Sequence, residues 1–119
     1  MEKEAALFKV LGEATRLRLA ALLAANGETC VCRLAAALDA PDFRVSRHLG
    51  IMRAAGLVRA RRHGTWMYYR LAEPSGLVEE HLHECFRRCL AEHGVVMADM
   101  ERLAAIGEEC SAAGGKGKN

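Results

Sequence analysis

The sequence predicts a mainly α-helical fold with one small β-hairpin, and three observations carry that expectation. Just over half of the residues are apolar while only 5% are aromatic, and Ala and Leu dominate, a composition that builds helices and serves a β-sandwich or barrel poorly. A short helical segment, a tight turn and a basic helical segment follow one another between Cys30 and Gly56, the order of a helix-turn-helix. The tryptophan and both tyrosines then fall between Leu57 and Leu71, where apolar and polar positions approximate a period of two.

From Ala5 to Ala25, apolar residues at Leu7, Val10, Leu11, Leu17, Leu19, Leu22 and Leu23 are interrupted by Gly12-Glu13-Ala14-Thr15. This predicts two consecutive helices, the second capped by Thr15. Asn26-Gly27-Glu28 stops the second helix, and Thr29 is the expected N-cap of a third, Cys30 to Leu38. Pro41 and Asp42 open a fourth helix that ends at Gly56, with Phe43, Leu49, Ile51 and Met52 as its apolar positions. Leu57 to Arg62, a turn at His63-Gly64-Thr65 and Trp66 to Leu71 make the hairpin, so the expected architecture is a winged helix-turn-helix with Trp66, Tyr68 and Tyr69 in the wing core. From Pro74 a long helical segment follows, with Gly94 an uncertain point in its middle. Its apolar stripe and the short first helix are assigned to a two-fold dimer interface. Residues 1–110 are read as one DNA-binding and dimerisation domain and 111–119 as a disordered Gly/Lys-rich tail.

The net charge of +2 hides an asymmetry. Between Pro41 and Arg70 stand Arg44, Arg47, Arg53, Arg59, Arg61, Arg62 and Arg70 against one acid, Asp42, whereas from Glu73 onward acids predominate. A basic face on an acidic body suits a polyanion. No apolar run reaches the ~20 residues that span a bilayer, and the N-terminus lacks the plan of a signal peptide, so a cytoplasmic protein without a membrane partner is expected. In a reducing compartment the five cysteines, Cys30, Cys32, Cys85, Cys89 and Cys110, read as thiols or metal ligands rather than a disulfide framework. Nothing supplies the Cys-x-x-Cys or βαβ setting of a thiol reductase, so an enzyme is not expected.

Leu11-Gly12-Glu13-Ala14-Thr15-Arg16-Leu17-Arg18-Leu19, Cys30-Val31-Cys32, Val45-Ser46-Arg47-His48-Leu49 and Ala55-Gly56-Leu57-Val58, in this order and spacing, resemble the ArsR/SmtB family of metal-responsive repressors. The resemblance runs from about Phe8 to Leu71 and implies a winged-helix homodimer on double-stranded operator DNA. Glu28 to Leu34 looks like the arsenic-responsive branch, which implies that Cys30 and Cys32 bind trivalent arsenic or antimony, or another soft ion, as an effector, with no obligatory cofactor. That branch often places a third cysteine where this chain has Ala35. The third ligand is then Cys85, Cys89, Cys110, solvent or a small thiol. His81, His83 and His93 approach the zinc pattern of some relatives, but their spacing and Val96 depart from it, and they read as surface histidines.

Within this frame the basic helix reads the major groove through Arg44, Ser46, Arg47, His48 and Arg53, while Arg59, Arg61, Arg62 and His63 of the wing hold flanking backbone. His48 serves equally as a packed residue. Residues at i and i+2 of a helix point about 200° apart, so a helix beginning at Cys30 has to unwind before both sulfurs meet one ion. Arg33 and the helix N-terminus are expected to favour the thiolates. Two other readings remain: a repressor of the same fold switched by thiol oxidation, and a metalloid-sequestering module that never binds DNA. Cys85 and Cys89, four apart on one helical face, fit either a second site or the apolar stripe beside Phe86 and Leu90.

Overall fold

The computed structural model describes residues 1–107. Helices α1 (Glu2–Leu11) and α2 (Ala14–Asn26) lead into a two-residue strand β1 (Thr29–Cys30), then α3 (Val31–Leu38), α4 (Asp42–Ala54), the hairpin β2 (Val58–His63) and β3 (Trp66–Leu71), α5 (Leu77–Glu84) and α6 (Gly94–Ile106). The expected mainly helical winged helix-turn-helix is what forms. Cys110 and the tail from Ser111 lie outside the described residues.

The local chemistry of the ends differs from expectation in two places. Glu13, not Thr15, caps α2, its Oε1 accepting the Arg16 amide at 3.2 Å. Thr29 does not cap α3. It lies in β1, where its hydroxyl donates to the Gly27 carbonyl and accepts from Asn26 Nδ2, both at 2.8 Å, and Cys30 takes the N-cap position instead. The reason is a third strand that two residues of sequence cannot announce. β1 pairs antiparallel with β3, Thr29 opposite Tyr69 and Cys30 opposite Tyr68, giving a sheet of order β1-β3-β2. β2 and β3 are joined by the two-residue turn Gly64-Thr65, where Gly64 takes φ 64°, the positive φ that such hairpins demand.

The long C-terminal segment is not one helix. After α5 the chain makes a π-helical turn (Cys85–Cys89) and a 3₁₀ turn (Leu90–Glu92), then His93 adopts an extended backbone (φ −71°, ψ 137°) and α6 starts afresh. The break folds α6 back onto α2 and α3. Its Val96 and Leu103 are thereby buried, so part of the stripe read as a dimer face is used within the chain. The core gathers Leu7, Leu19, Leu22, Leu34, Leu49, Met52, Phe86 and Leu103.

Asp99 is fully buried at the α2–α6 contact, which removes it from the acidic surface counted in the sequence. Arg18 grips it in a fork (2.9 and 2.8 Å) and Arg102 adds a third bond at 2.7 Å. Arg102 Nε also donates to the Ala37 carbonyl at 2.7 Å. One buried carboxylate thus orders two guanidinium groups, and both reach the carbonyl end of α3, Arg102 at Ala37 and Arg18 at Leu38 (3.5 Å).

Candidate nucleic-acid interface and thiol site

α3 and α4 meet at Asp39, a non-glycine residue in left-handed backbone (φ 56°, ψ 48°), a conformation that Asp tolerates better than most side chains. The Asp39 and Ala40 amides donate to the Ala36 and Ala35 carbonyls at 3.1 and 3.0 Å, which closes α3 and releases the chain into α4. α4 buries Val45, Leu49 and Met52 at helical spacing. The opposite face, with Arg44, Ser46, Arg47 and Arg53, is exposed. Phe43 and Ile51, two of the apolar positions read in this helix, are exposed too, Phe43 at 69%, because the period set by Val45, Leu49 and Met52 turns them outward.

The basic residues sort into two groups. Arg44, Arg47, Arg53 and Arg62 make no hydrogen bond or ion pair among the described residues. Arg59 pairs with Glu73 (3.3 Å), Arg70 with Glu73 (3.0 Å), and Arg61 grips Glu28 with two bonds of 2.9 Å. Arg61 also lies over the Tyr68 ring, 5.1 Å from its centroid. The Arg61 hydrogen bonds hold the Glu28 carboxyl below its ordinary pKa, against a smaller opposing effect of burial. Ser46 and His63 are exposed. His48 is half-buried, its Nδ1 3.1 Å from Arg16 Nη1 and 3.9 Å from Glu13. It faces the start of α2 in its own chain.

Cys30 and Cys32 are both buried, with Trp66 and Tyr68 packed against them. Their sulfurs are 3.1 Å apart. The unwinding expected for this pair is therefore unnecessary: Cys30 stands before the helix in extended backbone (φ −79°, ψ 155°), Cys32 stands in its first turn, and the change of conformation between them turns both sulfurs to one side. Arg33 is buried and its Nε has no hydrogen-bond partner. Sequence reasoning missed the partners of this region: Glu28 as an anchor for Arg61, Tyr68 as the strand neighbour of Cys30, and Arg16 beneath His48. An acid two residues before a cysteine pair was the one visible signal.

Cys85 is half-buried and Cys89 exposed. Burial first, then the adjacent Cys89 thiol, pushes the Cys85 thiol up. Burial and the Arg87 charge lower the pKa of His83. No group of three His, Cys, Asp or Glu side chains among the described residues is arranged to hold a metal ion, the set His81, His83 and His93 included. Among the described residues no helix is long and apolar enough to cross a membrane.

A helix-turn-helix with its basic helix turned outward and a hairpin beside it defines a winged helix-turn-helix protein. Residues 13–60 match the arsR family of bacterial regulatory proteins. The chain is 44% identical over 72 residues to a HTH-type transcriptional regulator of Methanocaldococcus jannaschii, covering 60% of this chain and 81% of that one. It is 47% identical over 66 residues to the arsenical resistance operon repressor of Escherichia coli (56% of each chain), and 37% identical over 83 residues to that of Bacillus subtilis (68% and 79%). The chain thus spans just over half the length of the Escherichia coli repressor, and it belongs to the arsR family.

Proposed function

We propose that this chain is a homodimeric repressor that holds double-stranded operator DNA with α4 and its wing, and releases it when Cys30 and Cys32 take a trivalent arsenic or antimony species or another soft ion. The observation that carries the DNA reading is the sorting of the arginines. Those on α4 have no partner among the described residues, as groups that meet phosphates and base edges would, whereas three near the wing are already neutralised. Arg44, Arg47, Arg53 and Ser46 are the groove-facing set, Phe43 offers apolar contact to a thymine methyl, and Arg62 and His63 reach flanking backbone. His48 supports α4 from beneath.

The thiol pair supports the second half of the reading. Two sulfurs 3.1 Å apart, each about 2.3 Å from one centre, subtend about 85°, well below the tetrahedral angle that zinc takes in its sites. Three-bonded, pyramidal trivalent arsenic suits the narrower angle. Such a ligand joins Cys30 and Cys32 when bound; the chain's own part is to present both sulfurs beneath Trp66 and Tyr68. The apolar groove of Phe8, Leu77, Val78 and Leu82, with Phe8 and Leu77 largely exposed, is the dimer surface. A cytoplasmic location follows from binding DNA.

Anisotropy of a fluorescent fragment of the chain's own promoter tests the proposal. Arsenite releases the wild type and leaves Cys30→Ser/Cys32→Ser bound; equal release of both, or binding that ignores arsenite, zinc and cadmium alike, overturns it. The short sulfur separation equally favours oxidation of the pair, and release by peroxide without release by arsenite selects that reading.

A further inference from the structure

We propose that Cys85 and Cys89 form a second thiol site, separate from Cys30 and Cys32, for a trivalent arsenical bearing one organic substituent, R–As(OH)₂. The π-helical turn supplies the geometry. It is closed by the Leu90 amide donating to the Cys85 carbonyl, five residues back, and such turns concentrate at functional sites. Within it Phe86 is buried and Leu90 packs on the core, so the apolar face of this turn is satisfied without either cysteine. Both cysteines instead line one surface cleft with His81, Glu84 and Arg88, and the two thiols lie close enough to act on each other.

The ligand class follows from the count of donors. No triad of ligating side chains forms among the described residues, so a cation seeking four ligands finds no complete set here. Trivalent arsenic with one bond filled by carbon requires two sulfurs and nothing more. Two As–O bonds break and two As–S bonds form. The two hydroxides leave as water with the two thiol protons, and arsenic stays trivalent.

The probe is phenylarsine oxide, which hydrates to this form, added to the reduced full-length chain and followed by intact mass. Cys30→Ser/Cys32→Ser/Cys110→Ser takes up one equivalent that withstands excess monothiol, and further change of Cys89→Ser abolishes it. Trypsin cleaves after Arg87 and Arg88, so in the wild type an arsenic bridge holds the fragment ending at Arg87 to the one beginning at Cys89. No adduct in the triple variant, or a bridge from Cys85 or Cys89 to Cys110 instead, overturns the proposal. Because the readout is covalent capture, it stands or falls without reference to DNA release at Cys30 and Cys32.

Discussion

Cys30 faces Tyr68 directly across the antiparallel ladder that joins β1 to the wing, and Trp66 packs against the same pair of cysteines. Whatever changes at the sulfurs therefore changes the surroundings of the chain's single tryptophan. Arsenite should shift the emission of Trp66 in the wild type and leave Cys30→Ser/Cys32→Ser unaffected. An identical response in both proteins would place the ligand elsewhere.

Arg47 and Arg59 sit on opposite sides of the sorting described above. On the proposed function, Arg47→Ala removes a groove-facing charge that has no partner among the described residues and should weaken operator binding by about 1–3 kcal/mol, about 5- to 150-fold. Arg59→Ala removes an exposed group already paired with Glu73 and should weaken it far less. Titrations at matched salt compare the two directly, and a reversed order would refute the assignment of α4 as the reading helix.

On the proposed function, Glu28 competes with DNA for Arg61, which it holds in this structure. Glu28→Gln frees that guanidinium for phosphate, so operator affinity should rise, and the slope of log K against log salt should steepen by about one. An unchanged slope would show that Arg61 does not approach the backbone.

The same pair has a pH signature. Arg61 stabilises the charged carboxylate, so the pairing is complete above the ordinary Glu pKa and is lost as pH falls through the lowered one. The Glu28 side-chain carbon, followed by NMR, should titrate below the unperturbed value of 4.5 and return toward it in Arg61→Ala.

Asp99 is wholly buried, while Arg18 and Arg102 keep 26% and 44% of their side chains exposed. Asp99→Ala should thus cost stability near the lower end of the ~3–5 kcal/mol that breaking a buried pair costs, since both guanidinium groups can recover some water. Urea unfolding, with unchanged slope against denaturant, measures it.

Much of this was legible in the sequence. Leu19, Leu22, Leu49 and Met52 lie where helical periodicity places them, and the Gly64 turn was visible because only a glycine-tolerant pair closes so short a hairpin. The strand at Thr29–Cys30 was not, because two residues have no period and are extended only through the hydrogen bonds that Tyr68 and Tyr69 offer from far along the chain. That omission produced the mistaken need to unwind α3 around the cysteines. The helix break at His93 was half visible, as Gly94 marked the place without giving the direction. Asp99 looked like one more surface acid, since nothing local to it foretells Arg18, 81 positions away.

The clasp of Arg102 on the Ala37 carbonyl sets a schedule for synthesis. The helix-turn-helix is complete in sequence by Ala54, and Arg18 can already reach the Leu38 carbonyl, yet the Arg102 anchor on the Ala37 carbonyl forms only after residue 102 has left the ribosome and α6 has turned back. A nascent chain ending before His93 carries every arginine of α4 while α3 still lacks that anchor. Termination before Arg102 should therefore yield fragments that carry the basic residues of α4 without this anchor, and such fragments should be more open to proteolysis than the full chain.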